Sequence, residues 1–559
     1  MVIGLCVFIE CATPSFIMQY DLKPNFLFVQ YLKYPKEVFG MLSKAYLLEF
    51  VIGTLFTIFV IFLLNKLLAI GFRQKNQFSV FVAVPCTLLL MIMFFAGARS
   101  TLDHRPVNPS TVSFSNDPLM NSMALNSTYT VLYAIYEKLR YESGDENPYG
   151  KLAVEQVFDE VYQTMNLERS DFQNIEIPTL HANEPHIQHT RPKNIVIILE
   201  ESLGAKHVGK LEGANITPNL DELAEEGIWF DQLYATGTRS VRGIEAVITG
   251  FLPTTRPSVV SLGGSQTNFF TIADLLSRKG YETSFLYGGE AHFDNMRRFF
   301  SGNGFQKIID EGDFDNPEFY GSWGASDEDL FNEAHKYFTS LANNTSKAPF
   351  FSLVFTSSNH SPFEFPDGRI ELYEEPKATV KNAIKYADYA LGEFIRKAKK
   401  SNYWENTIFL IVADHSDRVY GSELVPIEHF RIPGLFLGEG IEAKVITRLT
   451  SQIDLLPSLL SLAGIKAEIP ATGFNIFRKD IDQIPGRAMM QYGQNQAYLE
   501  GNQAIISRPA LPPRQFEYRD KHLFEIETID EKLARKALAH ALLPDILYRE
   551  RQYHLPKQE

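Results

Sequence analysis

Cysteine is nearly absent. Its three copies, Cys6, Cys11 and Cys86, all lie in the apolar N-terminal region, and the rest of the 559-residue chain has none. The larger C-terminal part therefore has no disulfide framework, no thiolate nucleophile and no cysteine-rich zinc site. An excess of positive charge is missing too. The formal net charge is −14, so the chain lacks the basic footprint that nucleic-acid binding requires. No internal repeat and no low-complexity segment interrupts it. Apolar residues, by contrast, make up 45% of the chain. That is enough for a large core, in a length too great for one domain.

Much of this apolar content is concentrated near the N-terminus. Residues 78–98 carry no charge at all, and a helix of ~20 apolar residues crosses a bilayer. Pro85 is tolerable in such a helix. Residues 46–72 are a second candidate span, and residues 1–18 a weaker third. The third contains Glu10 and has no basic start, which makes it a poor signal peptide. The short loop 73–77, with Arg73 and Lys75, suggests the cytoplasmic side and would place everything after Ala98 outside. Lys23, Lys33, Lys36 and Lys44 precede the spans, so the charge pattern is not one-sided. We expect transmembrane helices over 1–100, shortened relative to a longer bundle, a linker with short helices over 101–191, and a catalytic domain over 192–559.

From Asn194 the pattern alternates between strand and helix. Five apolar residues, Ile195 to Leu199, read as a strand buried on both faces. It ends in Glu200-Glu201-Ser202-Leu203-Gly204. Thr407 to Ala413 repeats the design and ends in Asp414-His415-Ser416-Asp417. Further strands are expected over 280–287 and 349–355, and helices after Thr217-Pro218, over 384–398, 452–463 and 531–543. This alternation predicts an α/β fold with a mostly parallel central sheet flanked by helices.

In such sheets ligands sit outside the carboxyl ends of the strands. Glu201 follows one strand; Asp414 and His415 follow the other. Two carboxylates and an imidazole suit zinc, manganese or iron, whereas magnesium and calcium favour all-oxygen sites. The stretch Ala235 to Gly243 is small, hydroxyl-rich and basic. A Ser or Thr hydroxyl there needs a base or a metal to become a nucleophile. Arg239 or Arg242 can steady an anionic ester, because a guanidinium matches phosphate geometry.

Taken in order, Glu201-Ser202, Gly237-Thr238-Arg239-Ser240-Val241-Arg242-Gly243, Asp414-His415-Ser416-Asp417 and Ser451-Gln452-Ile453-Asp454 with Pro457 and Gly464 resemble the lipoteichoic-acid-synthase-like membrane proteins of sulfatase fold, in the alkaline phosphatase superfamily. They are more distantly similar to the lipid A phosphoethanolamine transferases. The resemblance covers roughly residues 194–465. It implies a multi-pass protein of the bacterial cytoplasmic (inner) membrane with its catalytic domain on the outer or periplasmic face. Such an enzyme moves a phosphoglycerol or phosphoethanolamine head group from a phospholipid donor to a glycan or lipid acceptor.

By position, the resemblance makes Glu201, Asp414 and His415, with the Ser240 oxygen, ligands of a divalent metal, Mn2+ first with Zn2+ or Mg2+ as alternatives. It makes Ser240 the nucleophile, with Thr238 as runner-up, and places His360 and His429 on the substrate side. Such a histidine protonates a leaving alkoxide or binds phosphate. The family's head-group pocket, a His and a Trp-Asn-Arg run, is replaced here by Tyr287 and Asp294-Asn295-Met296-Arg297. Asn295, Arg297 and His292 are the candidates for holding head group or acceptor.

Three rivals stand beside this reading. A sulfatase requires Cys or Ser followed by x-Pro-x-Arg, and Ser240-Val241-Arg242-Gly243-Ile244 lacks that motif. A phosphodiesterase or phosphatase would use water as the only acceptor. An inactive sulfatase-fold scaffold would bind no metal.

Overall fold

The structure is a computed structural model. It describes residues 2–20, 47–73, 79–99 and 118–141, scattered positions between them, and 148–557 apart from 345–347, 361, 494, 509 and 510. Most of the loop 73–77, and Lys33, Lys36 and Lys44, lie outside the described residues. The chain forms two compact units, one of residues 1–143 with 295–298, the other of residues 144–294 with 299–559.

The first unit is helical, with α1 (Val2–Tyr20), α2 (Leu47–Arg73), α3 (Val80–Arg99) and α4 (Ser127–Tyr141). Among the described residues one stretch, Leu47–Leu67 in α2, is long and apolar enough to cross a bilayer. The apolar parts of α1 and α3, Ile3–Met18 and Phe81–Gly97, are shorter. The uncharged run is thus helical from Val80 on, but the expectation of several spanning helices reduces here, among the described residues, to one that meets the length. Glu10, anomalous in an apolar helix, accepts from the backbone amide of Ser127 at 2.5 Å and from its Oγ at 2.9 Å. Those bonds satisfy donors at the start of α4 that would otherwise lack partners.

The second unit is built on an eight-stranded sheet. In chain order its strands are β1 (Asn194–Glu200), β2 (Ile228–Phe230), β3 (Glu282–Tyr287), β4 (Lys307–Ile309), β5 (Phe350–Phe355), β6 (Thr407–Ala413), β7 (Gly434–Gly438) and β8 (Lys444–Ile446). Their spatial order is β8-β2-β7-β6-β1-β5-β3-β4. The sheet is mixed. Strand β7 runs antiparallel to both neighbours, β6 and β2, and the other pairings are parallel. Strands β1 and β6 are buried along their whole lengths, as their unbroken β-branched and aromatic runs require. They are adjacent and in register, with Ala413 opposite Glu200. The residues that follow each strand therefore emerge side by side.

A second sheet follows, five antiparallel strands in sequence order over residues 487–526. The sequence reading placed no strand there. Three of its hairpin turns use Gly493, Gly501 and the pair Asp520-Lys521, all at positive φ; of these Lys521 is not an ordinary turn residue. The C-terminal helix runs from Glu531 to Arg549, past Pro544.

Candidate active site

Beyond β1 the chain turns sharply through Ser202, whose φ is 54°. The Glu201 amide donates to Thr356 Oγ1 at 2.9 Å, and its carbonyl accepts from Asn359 Nδ2 at 3.0 Å. The loop after β5 thus grips the backbone of Glu201 at both ends of the residue. Beyond β6, the Asp414 amide donates to the Glu200 carbonyl at 3.1 Å. Gln452 Nε2 donates to the Ala413 and Asp414 carbonyls, each at 2.9 Å. Asp414 Oδ1 accepts from the Ser202 amide at 2.7 Å and the His415 amide at 2.6 Å.

His415 donates Nδ1–H to the Ser416 carbonyl at 2.7 Å. A carbonyl only accepts, so the bond leaves Nε2 as the free lone pair. That nitrogen lies 3.4 Å from Asp414 Oδ2, 3.4 Å from Ser240 Oγ and 4.0 Å from Glu201 Oε1. Ser240 opens the helix Ser240–Thr249 (α5 below), with Arg239 extended before it. Its hydroxyl donates to Glu201 Oε2 at 3.0 Å. One turn later Gly243 lies against the β6 tip: a Cβ there would stand 2.4 Å from the Asp414 carbonyl oxygen.

Glu201, Asp414 and His415 are all buried, and one ligand atom from each lies within 4.8 Å of the others. Burial first, and then the Glu201 carboxylate, push Asp414 up to about 7. For His415, burial pulls down, but the Asp414 and Glu201 carboxylates outweigh it and the net shift is up. Asp414 Oδ2 is buried and has no hydrogen-bond partner. Crowded negative charge, an orphaned carboxylate oxygen and a free imidazole lone pair form a donor set that fits a divalent cation. The four residues expected to share the metal are thus brought together.

The other predicted residues fall differently. Thr238 is half-buried in the turn before Ser240, and Arg239 is exposed. Arg242 was expected to face substrate, and its geometry is otherwise. It is buried in α5, donating to Glu245 Oε1 at 2.8 Å, to the Thr254 carbonyl at 3.0 Å and to the Arg256 carbonyl. The fully buried Glu245 carboxylate needs that cation, so Arg242 is committed to the core. His360 is half-buried and packs its ring on Trp323, centroids 3.7 Å apart. His429 sits in the short helix Ile427–Phe430, its ring 4.4 Å from that of Tyr420. Burial, then nearby Lys206, hold its pKa below the usual value. His292 Nε2 lies 3.2 Å from Glu290. Asn295 and Arg297 belong to the first unit, the metal-type cluster to the second.

The sequence reading gave no role to Thr356, Asn359 or Gln452, which orient the ligands, although Gln452 stood inside the run Ser451–Asp454 quoted above. It also missed Trp323 beside His360. Asp417, quoted in the run after β6, was given no role of its own; its carboxylate lies 3.1 Å from His207 and 3.0 Å from Lys206 and so ties together the segments leaving β1 and β6. Nothing in the spacing of these residues marks them, since each acts on a partner far away in sequence.

Strand tips of this kind, on this sheet, define a sulfatase-type α/β domain, and the family pattern described as Sulfatase matches residues 193–465. A solved structure of a protein in the alkaline phosphatase superfamily from Vibrio parahaemolyticus is 47% identical, at a TM-score of 0.71, over 74% of this chain and all of that one. The chain belongs to the alkaline phosphatase superfamily. Among characterised relatives, a lipoteichoic acid synthase-like protein of Bacillus subtilis is 23% identical over 56% of this chain and 55% of its own length. Phosphoglycerol transferase I of Xanthomonas axonopodis pv. citri is 29% identical over 48% of this chain and 40% of its own length. The chain thus spans about half, or less, of the length of these relatives.

Proposed function

We propose that the protein is a metal-dependent, membrane-anchored transferase that moves a phosphoglycerol head group, or alternatively phosphoethanolamine, from a phospholipid to a glycan or lipid acceptor of the cell envelope. One observation carries the reading: the Ser240 hydroxyl, at the first position of α5, donates to Glu201 inside the Glu201–Asp414–His415 cluster. The relatives' names supply the substrate class. Glu201, Asp414, His415 and the Ser240 oxygen would hold a divalent cation, Mn2+ by preference, which when bound would lower the pKa of a coordinated hydroxyl and offset charge on phosphate.

The chain's own residues account for the remaining steps. The helix N-terminus favours negative charge on the Ser240 oxygen and on the phosphate that approaches it. Exposed Arg239 is placed to pair with the diester. The Ser240 hydroxyl gives up its proton along its hydrogen bond to Glu201 Oε2, and attack by its oxygen on phosphorus forms a phosphoserine diester and breaks the bond to the diacylglycerol oxygen. His429 gives that oxygen a proton; burial and Lys206 hold its pKa down in the free site, and an arriving diester anion favours its protonated form. An acceptor hydroxyl then gives its proton to His429 and attacks phosphorus, releasing Ser240, which regains its proton from Glu201. A membrane anchor raises the effective concentration of a lipid donor, which fits a catalytic domain on the outer face of the bacterial inner membrane.

The test is mass spectrometry of the protein after incubation with phosphatidylglycerol or phosphatidylethanolamine vesicles and Mn2+. A phosphoglycerol adduct on Ser240 is expected. An adduct on Thr238, or none while lipid is consumed, would overturn the assignment. Release to water with no transfer to any acceptor hydroxyl would make the enzyme a phosphodiesterase.

A further inference from the structure

The segments that leave the β1 and β6 tips meet again on one hairpin turn. The strands Leu511–Arg519 and His522–Ile526 are joined by the two residues Asp520-Lys521, with Arg519 paired to His522. Both turn residues are left-handed, at φ 51° and 67°. A tight hairpin demands that conformation and ordinarily takes glycine at the second position. A lysine there is strained.

The contacts of this turn offer a reason for the lysine. Lys521 Nζ lies 3.2 Å from Glu428 Oε1 and 3.8 Å from Glu212 Oε2. Glu428 precedes His429 on the segment from β6, and Glu212 ends the segment from β1. Tyr518 Oη donates to the other oxygen of Glu428 at 2.9 Å. Glu423, earlier on the same segment, accepts from the Leu523 amide at 2.9 Å and lies 3.4 Å from His522 Nδ1. Asn495 Nδ2 donates to the Leu424 carbonyl at 2.9 Å. Beneath these polar ties Val425, Ile427 and Phe430 share a core with Met490, Ile506 and Phe516 of the five-stranded sheet. The segment bearing His429 is thus held from the C-terminal hairpin.

We propose that this turn is a positioning device for His429. Lys521 and Tyr518 clamp Glu428, and through it fix where the neighbouring imidazole reaches. The inference rests on the reading of His429 as the group that serves the leaving oxygen, and it names positioning residues, which touch no substrate.

Lys521→Gly separates the two roles the lysine could have. Glycine suits the turn, so the variant is expected to melt no lower than the parent, while it removes the ammonium. In the full chain with phosphatidylglycerol vesicles, kcat is expected to fall about tenfold with KM little changed, as for a misplaced group needed in the transition state. Amide exchange over residues 417–430 is expected to rise. Lys521→Arg should restore both, and Tyr518→Phe should mimic the loss. Unchanged kcat, or unchanged exchange in 417–430, would overturn the proposal, as would a loss of activity explained by a lower melting temperature. If the parent protein cleaves no phospholipid, the transferase reading fails, and the exchange measurement alone decides whether the turn holds the segment.

Discussion

The Ser202 amide donates to Asp414 Oδ1 at 2.7 Å across 212 positions of sequence. This bond, with the pairing of Glu200 opposite Ala413, locks two strand ends into one site. It leaves Oδ2 of the same carboxylate without a partner and next to the His415 lone pair. Backbone amides and the side chains of Thr356, Asn359 and Gln452 thus set the geometry of the cluster, and Asp414 Oδ2 and the His415 lone pair are left with metal-ligand chemistry.

Replacing the proposed nucleophile should separate chemistry from folding. Ser240→Ala deletes one half-buried hydroxyl whose described partners are Glu201 and His415. Stability should change by no more than about 0.5 kcal/mol, while phosphotransfer and the covalent adduct disappear. Thr238→Ala should retain the adduct. Thermal melts and adduct mass spectrometry on both variants check this.

Gly243 is a packing requirement. A methyl group at that position would stand 2.4 Å from the Asp414 carbonyl oxygen and 2.5 Å from its Cα, both backbone atoms of a buried strand end. Gly243→Ala is expected to cost about 2 kcal/mol and to lower Mn2+ occupancy, because Asp414 must move away from Glu201. Denaturant unfolding and elemental analysis read the two effects separately.

The Arg242–Glu245 pair predicts a stability phenotype. Arg242→Met leaves the fully buried Glu245 carboxylate without its cation, and breaking such a pair costs about 3–5 kcal/mol. Glu245→Gln in the same chain should recover part of that loss. If Arg242 instead bound the ester, Arg242→Met would raise KM and leave the melting temperature alone.

A pH dependence follows from Asp388. Its carboxylate accepts from the Asn219 amide, the Asn219 side chain and the Leu220 amide at 2.8–3.0 Å, yet burial pushes it up to about 6. The folded chain therefore keeps this proton where the unfolded chain has lost it. The stability it contributes is fully present below the unfolded value of 3.8 and is lost as pH rises toward 6. Two pH units of such a shift correspond to something on the order of 3 kcal/mol. Urea unfolding at pH 4 and pH 7 should show this loss in the parent and a smaller one in Asp388→Asn.

Much of this architecture was legible in the chain as written. The run Ile195 to Leu199 and the run Ile408 to Val412 are too uniformly apolar to be anything but doubly buried strands, so their location and the polar tips that end them follow from side-chain chemistry alone. The five-stranded sheet was not legible, because Asp520-Lys521 gives no glycine signal and Pro512-Pro513 masks a strand. Arg242 was misread because sequence shows a cation's charge and not its partner: Glu245, three residues on, takes it into the core.

The sequence by itself determined four strands of the central sheet, the order of the candidate site residues and the acid-rich tips, since hydrophobic periodicity and residue chemistry are local properties. Only the tertiary structure decided that β1 and β6 are neighbours in register and that Gln452 and Asn359 hold their ends. It alone decided that a strained lysine in the last hairpin reaches the segment carrying His429. Each of these depends on contacts between residues far apart in the chain, and neither spacing nor composition encodes which distant groups meet.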